Sequence, residues 1–172
     1  SSPRVMRWKA SATAVRSPPF LNWLPLEDET TTGSTPDRMA GAWLAPGDGT
    51  LNVWVAPGEG GDPLQVTRDR DRGVRSYAWS RDGKRILYLQ DTGGDENHHL
   101  FASDLDRPGE PDRDLTPFPG VKVGIVDVPR HDPNRVLIST NRRDRGLFDV
   151  ERLDLETGAI ELVAENPGNI MG

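Results

Sequence analysis

The stretch "SYAWSRDGKRILYLQDTGGDENHHLFASDL", residues 76–105, contains three short apolar runs separated by two turn-forming segments. The first segment, "RDGK" at 81–84, is typical of a tight turn, because glycine adopts positive φ at no cost and aspartate bonds back to its own backbone. The runs on either side are rich in aromatic and branched aliphatic residues, which favour strands. The stretch therefore predicts three consecutive strands joined by short connections.

The same pattern continues along the chain from about Trp43 onward. Short strand-like runs recur at a spacing of roughly 8–12 residues, with no helical periodicity between them, which is typical of an all-β protein. The turn sequences "HDPN" at 131–134 and "ETGA" at 156–159 separate later runs. The predicted strands cover residues 51–56, 63–67, 75–80, 85–90, 100–105, 113–116, 123–128, 135–140, 150–155 and 160–164.

The runs form a repeat of four strands. Trp54 corresponds to Phe101 at a spacing of 47, and Phe101 corresponds to Glu151 at a spacing of 50. Arg85 and Arg135 are again 50 residues apart. A four-stranded unit of about 40–50 residues is the signature of a β-propeller blade. A parallel β-helix would have shorter rungs, and a sandwich would not be expected to repeat its turn chemistry.

The length of the repeat predicts the domain organisation. Residues 1–35 have no clear period and are expected to form an irregular N-terminal segment. Residues 36–172 are expected to form a partial β-propeller of about three four-stranded blades, TolB-like or WD-like. Propellers usually close with about four to eight blades, so the chain is expected to form the opening arc of one. An open arc exposes a sheet face and strand edges, which predicts self-association.

Composition excludes several classes of partner. The net charge of −6 argues against nucleic acid, since nucleic-acid binding needs basic surface. No apolar run is long enough to cross a membrane, and the first twenty residues lack the apolar core of a secretory signal. The compartment stays open, with the cytoplasm favoured over the periplasm. The Arg/Asp-rich stretches 68–75 and 141–149 are nearly charge-balanced and predict solvated, salt-bridged loops.

The segment "DTGGDENHH", residues 91–99, could in principle bind a metal ion. Its acids do not have the spacing of a calcium-binding loop. The adjacent residues His98 and His99 would point to opposite faces of a strand and could not easily share an ion. We therefore expect no metal and no cofactor. Four aromatic residues elsewhere are expected to pack between blades, namely Trp54, Trp79, Tyr88 and Phe101.

The stretch 36–169 resembles the N-terminal propeller of the prolyl oligopeptidase family of serine peptidases, and within it the bacterial acylaminoacyl-peptidase and dipeptidyl-peptidase-like branch. The resemblance is carried by "DGTLNVWV" (48–55) and by the segments 65–106, 114–128 and 141–169. "TPDRMAGAWLAPGDG" (35–49) resembles a degraded form of the family's Ser-Pro-Asp-Gly pattern. Arg38 replaces the turn glycine there, and an extra residue or two precede Trp43.

The resemblance implies a role in a two-domain peptidase. In that family the propeller covers an α/β-hydrolase domain that carries a Ser-Asp-His triad. The propeller limits access to short peptides and can hold the substrate's N-terminus. No G-x-S-x-G nucleophile motif occurs in this chain. We therefore predict no catalytic residue here, and expect the hydrolase domain and, through the full-length enzyme, a peptide substrate as partners.

The same resemblance gives the loop 91–97 a candidate role in substrate binding. Asp95 and Glu96 are candidates for binding a positively charged peptide N-terminus, with Asn97 as an amide partner. In a purely structural interpretation, Gly93 and Gly94 form the turn while Asp91, Asp95 and Asn97 cap backbone N–H groups.

A function from a different class also fits the sequence. A stand-alone TolB-like propeller module that binds protein partners would show the same repeat and would have no hydrolase domain. The coding sequence after residue 172 distinguishes the two functions, because only the peptidase continues into a G-x-S-x-G segment.

Overall fold

The computed structural model describes residues 39–57 and 61–168, and within these ranges the regular elements are all strands. The all-β prediction is therefore confirmed. The eleven strands of the described ranges are β1 (Met39–Gly47), β2 (Thr50–Pro57), β3 (Leu64–Gln65), β4 (Tyr77–Trp79), β5 (Arg85–Gln90), β6 (His99–Asp104), β7 (Arg113–Asp114), β8 (Val123–Asp127), β9 (Arg135–Asp144), β10 (Leu147–Asp154) and β11 (Ile160–Ala164).

The strands form three antiparallel sheets in which spatial order follows chain order. Blade 1 is β1-β2-β3, blade 2 is β4-β5-β6-β7, and blade 3 is β8-β9-β10-β11. Consecutive sheets of up to four meandering strands are the construction of a β-propeller, so the prediction of an incomplete propeller with about three blades is confirmed. The predicted irregular segment 1–35 lies outside the described residues.

The strand register repeats from blade to blade. In each blade, one residue of the second strand of the four-strand repeat pairs with one residue of the third strand at an equivalent position. These pairs are Trp43 with Trp54, Tyr88 with Phe101, and Ile138 with Glu151. The 47- and 50-residue spacings in the sequence therefore correspond to a true structural repeat.

Strand β1 corresponds to the degraded pattern at 35–49. Its pairing with β2 shifts by one residue between Met39 and Gly41, which leaves Ala40 as a bulge. A bulge inserts one unpaired residue into a strand without changing the pairing beyond it. The extra residue before Trp43 that the sequence indicated is therefore absorbed in the backbone, and Trp43 keeps its place in the repeat.

Two hydrophobic cores lie between the sheets, and blade 2 contributes to both. The core between blades 1 and 2 is built on the buried side chains Val53, Val55, Val74, Ile86, Tyr88 and Leu105. The core between blades 2 and 3 is built on Leu87, Leu100, Ala102, Leu115, Val121, Val123, Val136, Ile138, Leu153 and Leu155. Alternate residues of β5 enter opposite cores, because successive side chains of a strand point to opposite faces.

The aromatic residues only partly follow the prediction. Tyr88 is buried and stacks on Phe101 with 5.5 Å between ring centroids, and Trp79 packs against the same core. Trp54 differs, because it alternates with the buried Val53 and Val55 and so lies on the face of blade 1 turned away from blade 2.

The stretch 141–149 is a strand hairpin where the sequence predicted a loop. Strands β9 and β10 extend through it and turn at Arg145 and Gly146. The predicted salt bridges are present, since Arg142 pairs with Glu151 at 2.7 Å and Arg143 with Asp149 at 2.8 Å. These pairs connect the two strands near the hairpin turn, because each arginine of β9 reaches an acid of β10 whose register partner is Thr140 or Ile138.

Candidate functional site

The segment 91–98 connects β5 to β6 at the end of blade 2 where the chain also crosses to blade 3. The backbone N–H of Val123, the first residue of β8, donates to the carbonyl of His98 at 2.9 Å. Arg145, in the β9–β10 turn of blade 3, donates to the carbonyls of Gly120 and Pro119 in the crossing segment. Connections from two blades therefore meet at this end of the sheets.

Two glycines shape the loop. Gly93 and Gly94 have φ values of 64° and 83°, in the left-handed region that glycine adopts most readily. The side chain of Arg72 lies over Gly94, so closely that a Cβ atom there would be 2.6 Å from Arg72 Nη2. Arg72 Nη2 is also 3.6 Å from Asp91 Oδ2. The loop is thereby held against the segment that crosses from blade 1 to blade 2.

Asp91 and Asp95 both accept hydrogen bonds from the loop's own backbone. The N–H of Glu96 donates to Asp91 Oδ2 at 3.3 Å. The N–H of Asn97 donates to Asp95 Oδ1 at 3.0 Å, and the Asn97 side-chain amide donates to Asp95 Oδ2 at 3.1 Å. Among the residues that the structure describes, Asn97 is therefore a donor to Asp95 and caps no further backbone group.

These contacts favour the ionised form of both aspartates. The side-chain and backbone hydrogen bonds from Asn97 hold the pKa of Asp95 below its usual value. For Asp91 partial desolvation pushes the pKa upward, but the Glu96 N–H and the Arg72 charge outweigh it, and the pKa is lowered. The loop therefore carries negative charge throughout the physiological pH range.

Glu96 differs from its neighbours in backbone and side chain. Its φ of 60° is left-handed, an uncommon conformation for a residue with a long side chain. Its backbone N–H and carbonyl contact Asp91 and His98. Within the described part of the chain its carboxylate has no hydrogen bond or ion pair, and the residue is exposed. An exposed carboxylate of this kind can bind a cation such as an ammonium group.

The two histidines after the loop have separate partners. His98 Nδ1 lies 3.1 Å from the carbonyl of Glu96, whereas His99 Nδ1 lies 2.8 Å from Asp114 Oδ2 of β7. Over residues 39–57 and 61–168 no group of three or more potential metal-ligating acids, histidines or cysteines comes together. The same residues include no helix long and apolar enough to cross a membrane.

The Arg/Asp-rich stretch 68–75 is organised by one carboxylate. Asp69 Oδ1 accepts from the backbone N–H groups of Asp71, Arg72 and Gly73 at 2.6–3.0 Å. Its other oxygen accepts from the Gln90 side chain at 2.9 Å. Backbone capping by Asp69 therefore organises this crossing between blades 1 and 2, and the predicted salt bridging is represented by the Arg72–Asp91 pair.

A cleft of about 360 Å³ between blades 1 and 2 was missed by sequence reasoning. The Tyr88 hydroxyl donates to Asp112 at 2.6 Å on its wall, and burial together with the Asp112 charge raises the pKa of Tyr88. Its walls come from segments far apart in sequence, so no local signal marks them. They are formed by Val66, Arg68, Asp69, Tyr88, Gln90, Phe101, Gly109, Glu110, Pro111 and Asp112.

Comparison with known proteins agrees with this architecture. No protein-family model matches the chain. The chain is 40% identical over 141 residues to dipeptidyl aminopeptidase BIII of Pseudoxanthomonas mexicana. This match covers 80% of the chain but 20% of the relative, so the chain spans about one fifth of that protein's length. Together with its three consecutive blades, this places the chain in the prolyl oligopeptidase family of peptidases, as a propeller region.

Solved structures resemble the chain at low sequence identity. A variant of the AtxE2 isopeptidase with Astexin3-dC4 bound matches with a TM-score of 0.51 and 11% identity, covering 73% of this chain and 19% of that one. TolB from Acinetobacter baumannii matches with a TM-score of 0.48 and 20% identity, covering 74% of this chain and 31% of that one. At this level of identity the isopeptidase match concerns the fold alone.

Proposed function

We propose that this propeller region gates and orients peptide substrates for an α/β-hydrolase domain of the same peptidase. The 40% identity to a dipeptidyl aminopeptidase over most of the chain supports the proposal. The chain itself contributes no catalytic group, because its sequence contains no nucleophile motif. Residues 36–172 would form the propeller part, and residues 1–35 a separate lead-in.

The observation that carries the proposal is the unpaired carboxylate of Glu96. An enzyme that removes a dipeptide from an N-terminus must distinguish a free α-ammonium group from an internal peptide bond. Glu96 offers an exposed negative charge on a backbone fixed in a strained conformation, and such strain concentrates at functional sites. The Asp95 carboxylate adds charge, although Asn97 already occupies both of its oxygens.

The three residues therefore receive different roles. Glu96 would bind the substrate ammonium group directly. Asp95 would strengthen the negative potential and, through Asn97, keep the loop in shape. Asn97 would position Asp95, and the oxygen of its amide is available to accept a further hydrogen bond from the substrate.

The test uses the full-length enzyme and two matched peptides, one with a free N-terminus and one acetylated. Glu96→Gln keeps the size of the side chain and removes its charge. We expect KM for the free peptide to rise by about tenfold, as for loss of one charge-assisted hydrogen bond, with KM for the acetylated peptide unchanged. Glu161→Gln, at an exposed position on β11 of blade 3, is the control. Equal KM values for wild type and Glu96→Gln on the free peptide would contradict the proposal.

A second experiment addresses the hydrolase partner. The coding sequence that follows residue 172 should contain a G-x-S-x-G segment followed by an aspartate and a histidine. The 172-residue chain alone should release no product from either peptide. Further blades and a stop codon in place of that segment would instead support a protein-binding propeller module.

A further inference from the structure

The cleft between blades 1 and 2 has the size of a small-molecule site. Its volume of about 360 Å³ lies within the roughly 300–1,000 Å³ that is typical of ligand pockets. It opens at the margin of the core between blades 1 and 2, because Tyr88 and Phe101 belong to that core and also line the cleft. The described residues that line it include none from the loop 91–98. The cleft is therefore a site candidate separate from the carboxylate of Glu96.

The inner wall of the cleft is aromatic. Tyr88 is 6% exposed and stacks on Phe101, with 5.5 Å between the ring centroids and 19° between the ring planes. Val66, which follows β3, continues this wall on the side of blade 1. Aromatic rings pack well against an aliphatic chain, and their π-faces attract cations. The wall therefore suits a ligand that has an aliphatic body and a positive charge.

The charged residues of the cleft are mainly acids. Asp69, Glu110 and Asp112 line it, against the single cation Arg68. Asp112 Oδ2 accepts the Tyr88 hydroxyl at 2.6 Å, and the other oxygen of Asp112 has no hydrogen bond or ion pair among the described residues. The Tyr88 hydroxyl thus orients a carboxylate on the cleft wall and leaves one of its oxygens for a ligand. This balance of charge favours a cationic ligand over an anionic one.

Two further oxygens of the lining are available to a ligand. Gln90 donates its amide N–H to Asp69 Oδ2 at 2.9 Å, which leaves the Gln90 amide oxygen as an acceptor. The Glu110 side chain is 61% exposed, and its ion pair with Arg107 is loose, at 3.4 Å. Arg68 is exposed and lies over Gly109. An ammonium group has three donors and no acceptor, so it matches a lining that offers mostly acceptors.

We propose that this cleft binds an alkylammonium ion, supplied either by a free diamine or by the side chain of a lysine. The aliphatic chain packs along Tyr88 and Phe101, and the ammonium group donates to the free oxygen of Asp112. The Gln90 amide oxygen and the Glu110 carboxylate are the further acceptors. The inference rests on the cleft and is independent of any peptide-binding role of Glu96.

The first test is isothermal titration calorimetry on the full-length enzyme. The cationic probes are 1,5-diaminopentane and Nα-acetyl-lysine amide, and Nα-acetyl-norleucine amide is the neutral comparison because it lacks the ammonium group. We expect a Kd of about 1 mM for a cationic probe, as for a ligand of this size, and binding of the norleucine probe that is weaker by about tenfold or more.

The two cationic probes distinguish the two sources of the ligand. A diamine that binds as tightly as the lysine probe assigns the cleft to free amines, whereas weaker binding of the diamine assigns it to a lysine side chain. The absence of saturable binding by both cationic probes would overturn the proposal. Equal affinity for the lysine and norleucine probes would overturn it as well, because the acids would then contribute nothing.

Charge variants of the same enzyme locate the binding in the cleft. Asp112→Asn keeps an acceptor for the Tyr88 hydroxyl and removes the charge, so the affinity for the cationic probe should fall by about tenfold. Glu110→Lys reverses a charge at an exposed position and should weaken binding similarly. Circular dichroism checks that each variant is folded, and Glu110→Lys decides the matter if Asp112→Asn is not.

Two further variants are the controls. Asp127→Asn removes an exposed acid from β8 of blade 3 and should leave the affinity for the cationic probe unchanged. Glu96→Gln should also leave it unchanged, so that a failure of this proposal is distinguishable from a failure of the peptide-binding role. Unchanged affinity in a folded Asp112→Asn or Glu110→Lys variant, or an equal loss in Glu96→Gln, would overturn the assignment of the ligand to the cleft.

Discussion

Arg85 of blade 2 and Glu156 of blade 3 form an ion pair across the blade boundary, with 2.6 Å between Nη2 and Oε1. The two partners differ in burial, since the Arg85 side chain is 8% exposed and that of Glu156 is 52% exposed. Arg85 also pairs with Asp82 at 3.0 Å within its own blade. The contact thus joins a buried cation to an acid that water also reaches.

We expect the two residues to have unequal effects on stability. Arg85→Met leaves Asp82, whose side chain is largely buried, without its cation and should lower the free energy of unfolding by about 2 kcal/mol. Glu156→Gln removes a solvated partner and should cost less than about 1 kcal/mol. Urea denaturation of both variants measures the difference. Arg107→Met, at a position 65% exposed, is the control, and equal losses for Arg85→Met and Glu156→Gln would contradict the asymmetry.

The pH dependence of stability should reflect Asp149. Hydrogen bonds from the Arg143 guanidinium, followed by the Asn166 N–H, lower the pKa of Asp149 to about 2. Because its folded-state pKa lies below the unfolded value of about 3.9, its contribution is present above about pH 4 and is lost as the pH falls toward 2.

Asp149→Asn should therefore lower the melting temperature at pH 7, and the difference from wild type should shrink as the pH falls from about 4 to about 2. Melting curves followed by circular dichroism at several pH values measure it. Glu165→Gln removes the exposed second acid near Arg143 and should have little effect. A difference between Asp149→Asn and wild type that stays constant down to pH 2 would exclude this linkage.

The backbone of Glu96 allows stability and function to be separated. Glycine adopts a φ of 60° freely, so Glu96→Gly should raise the free energy of unfolding by about 0.5–1 kcal/mol. In the full-length enzyme the same change should raise KM for peptides with a free N-terminus. Chemical denaturation and steady-state kinetics on one preparation give both values. A Glu96→Gly variant that is destabilised would show that the side chain supports the fold.

Truncation in the core between blades 2 and 3 should cost more stability than truncation at the surface. Leu87 is fully buried in the core between blades 2 and 3. Leu87→Ala should therefore lower the free energy of unfolding by about 2–5 kcal/mol through lost burial and a cavity. Leu162→Ala, at a position 51% exposed, should cost less than about 1 kcal/mol. Equal melting temperatures for Leu87→Ala and Leu162→Ala would contradict this placement of the core.

The sequence predicted the strands well because their signals are local. Each of the ten predicted runs corresponds to a strand, since alternation, aromatic content and turn residues are all readable within a few positions. Strand β1 was not among the runs, because Ala40 interrupts the alternation and forms a bulge. The hairpin at 141–149 was predicted as a loop because its charges hide the strand pattern, although Asp149 and Glu151 are buried by pairing with Arg143 and Arg142.

The candidate site was predictable only in part. The position of the 91–97 loop followed from the repeat, and its acids were visible in the sequence. The left-handed backbone of Glu96 and the engagement of Asp95 by Asn97 depend on side-chain geometry that no spacing encodes. Arg72 lies over Gly94 although strands β4 and β5 separate the two residues in the chain, and such a contact forms only when the chain is folded.

The equivalence of register between blades has an evolutionary consequence. Arg85 and Arg135 lie 50 residues apart, and each begins a strand. Their pairing partners occupy equivalent positions in the repeat. Because each sheet packs against its immediate neighbours, the loss or duplication of one blade would bring together two sheet faces that are built in the same way. Propellers of this lineage could thus change blade number by unequal recombination within a gene, without new sequence at the junction.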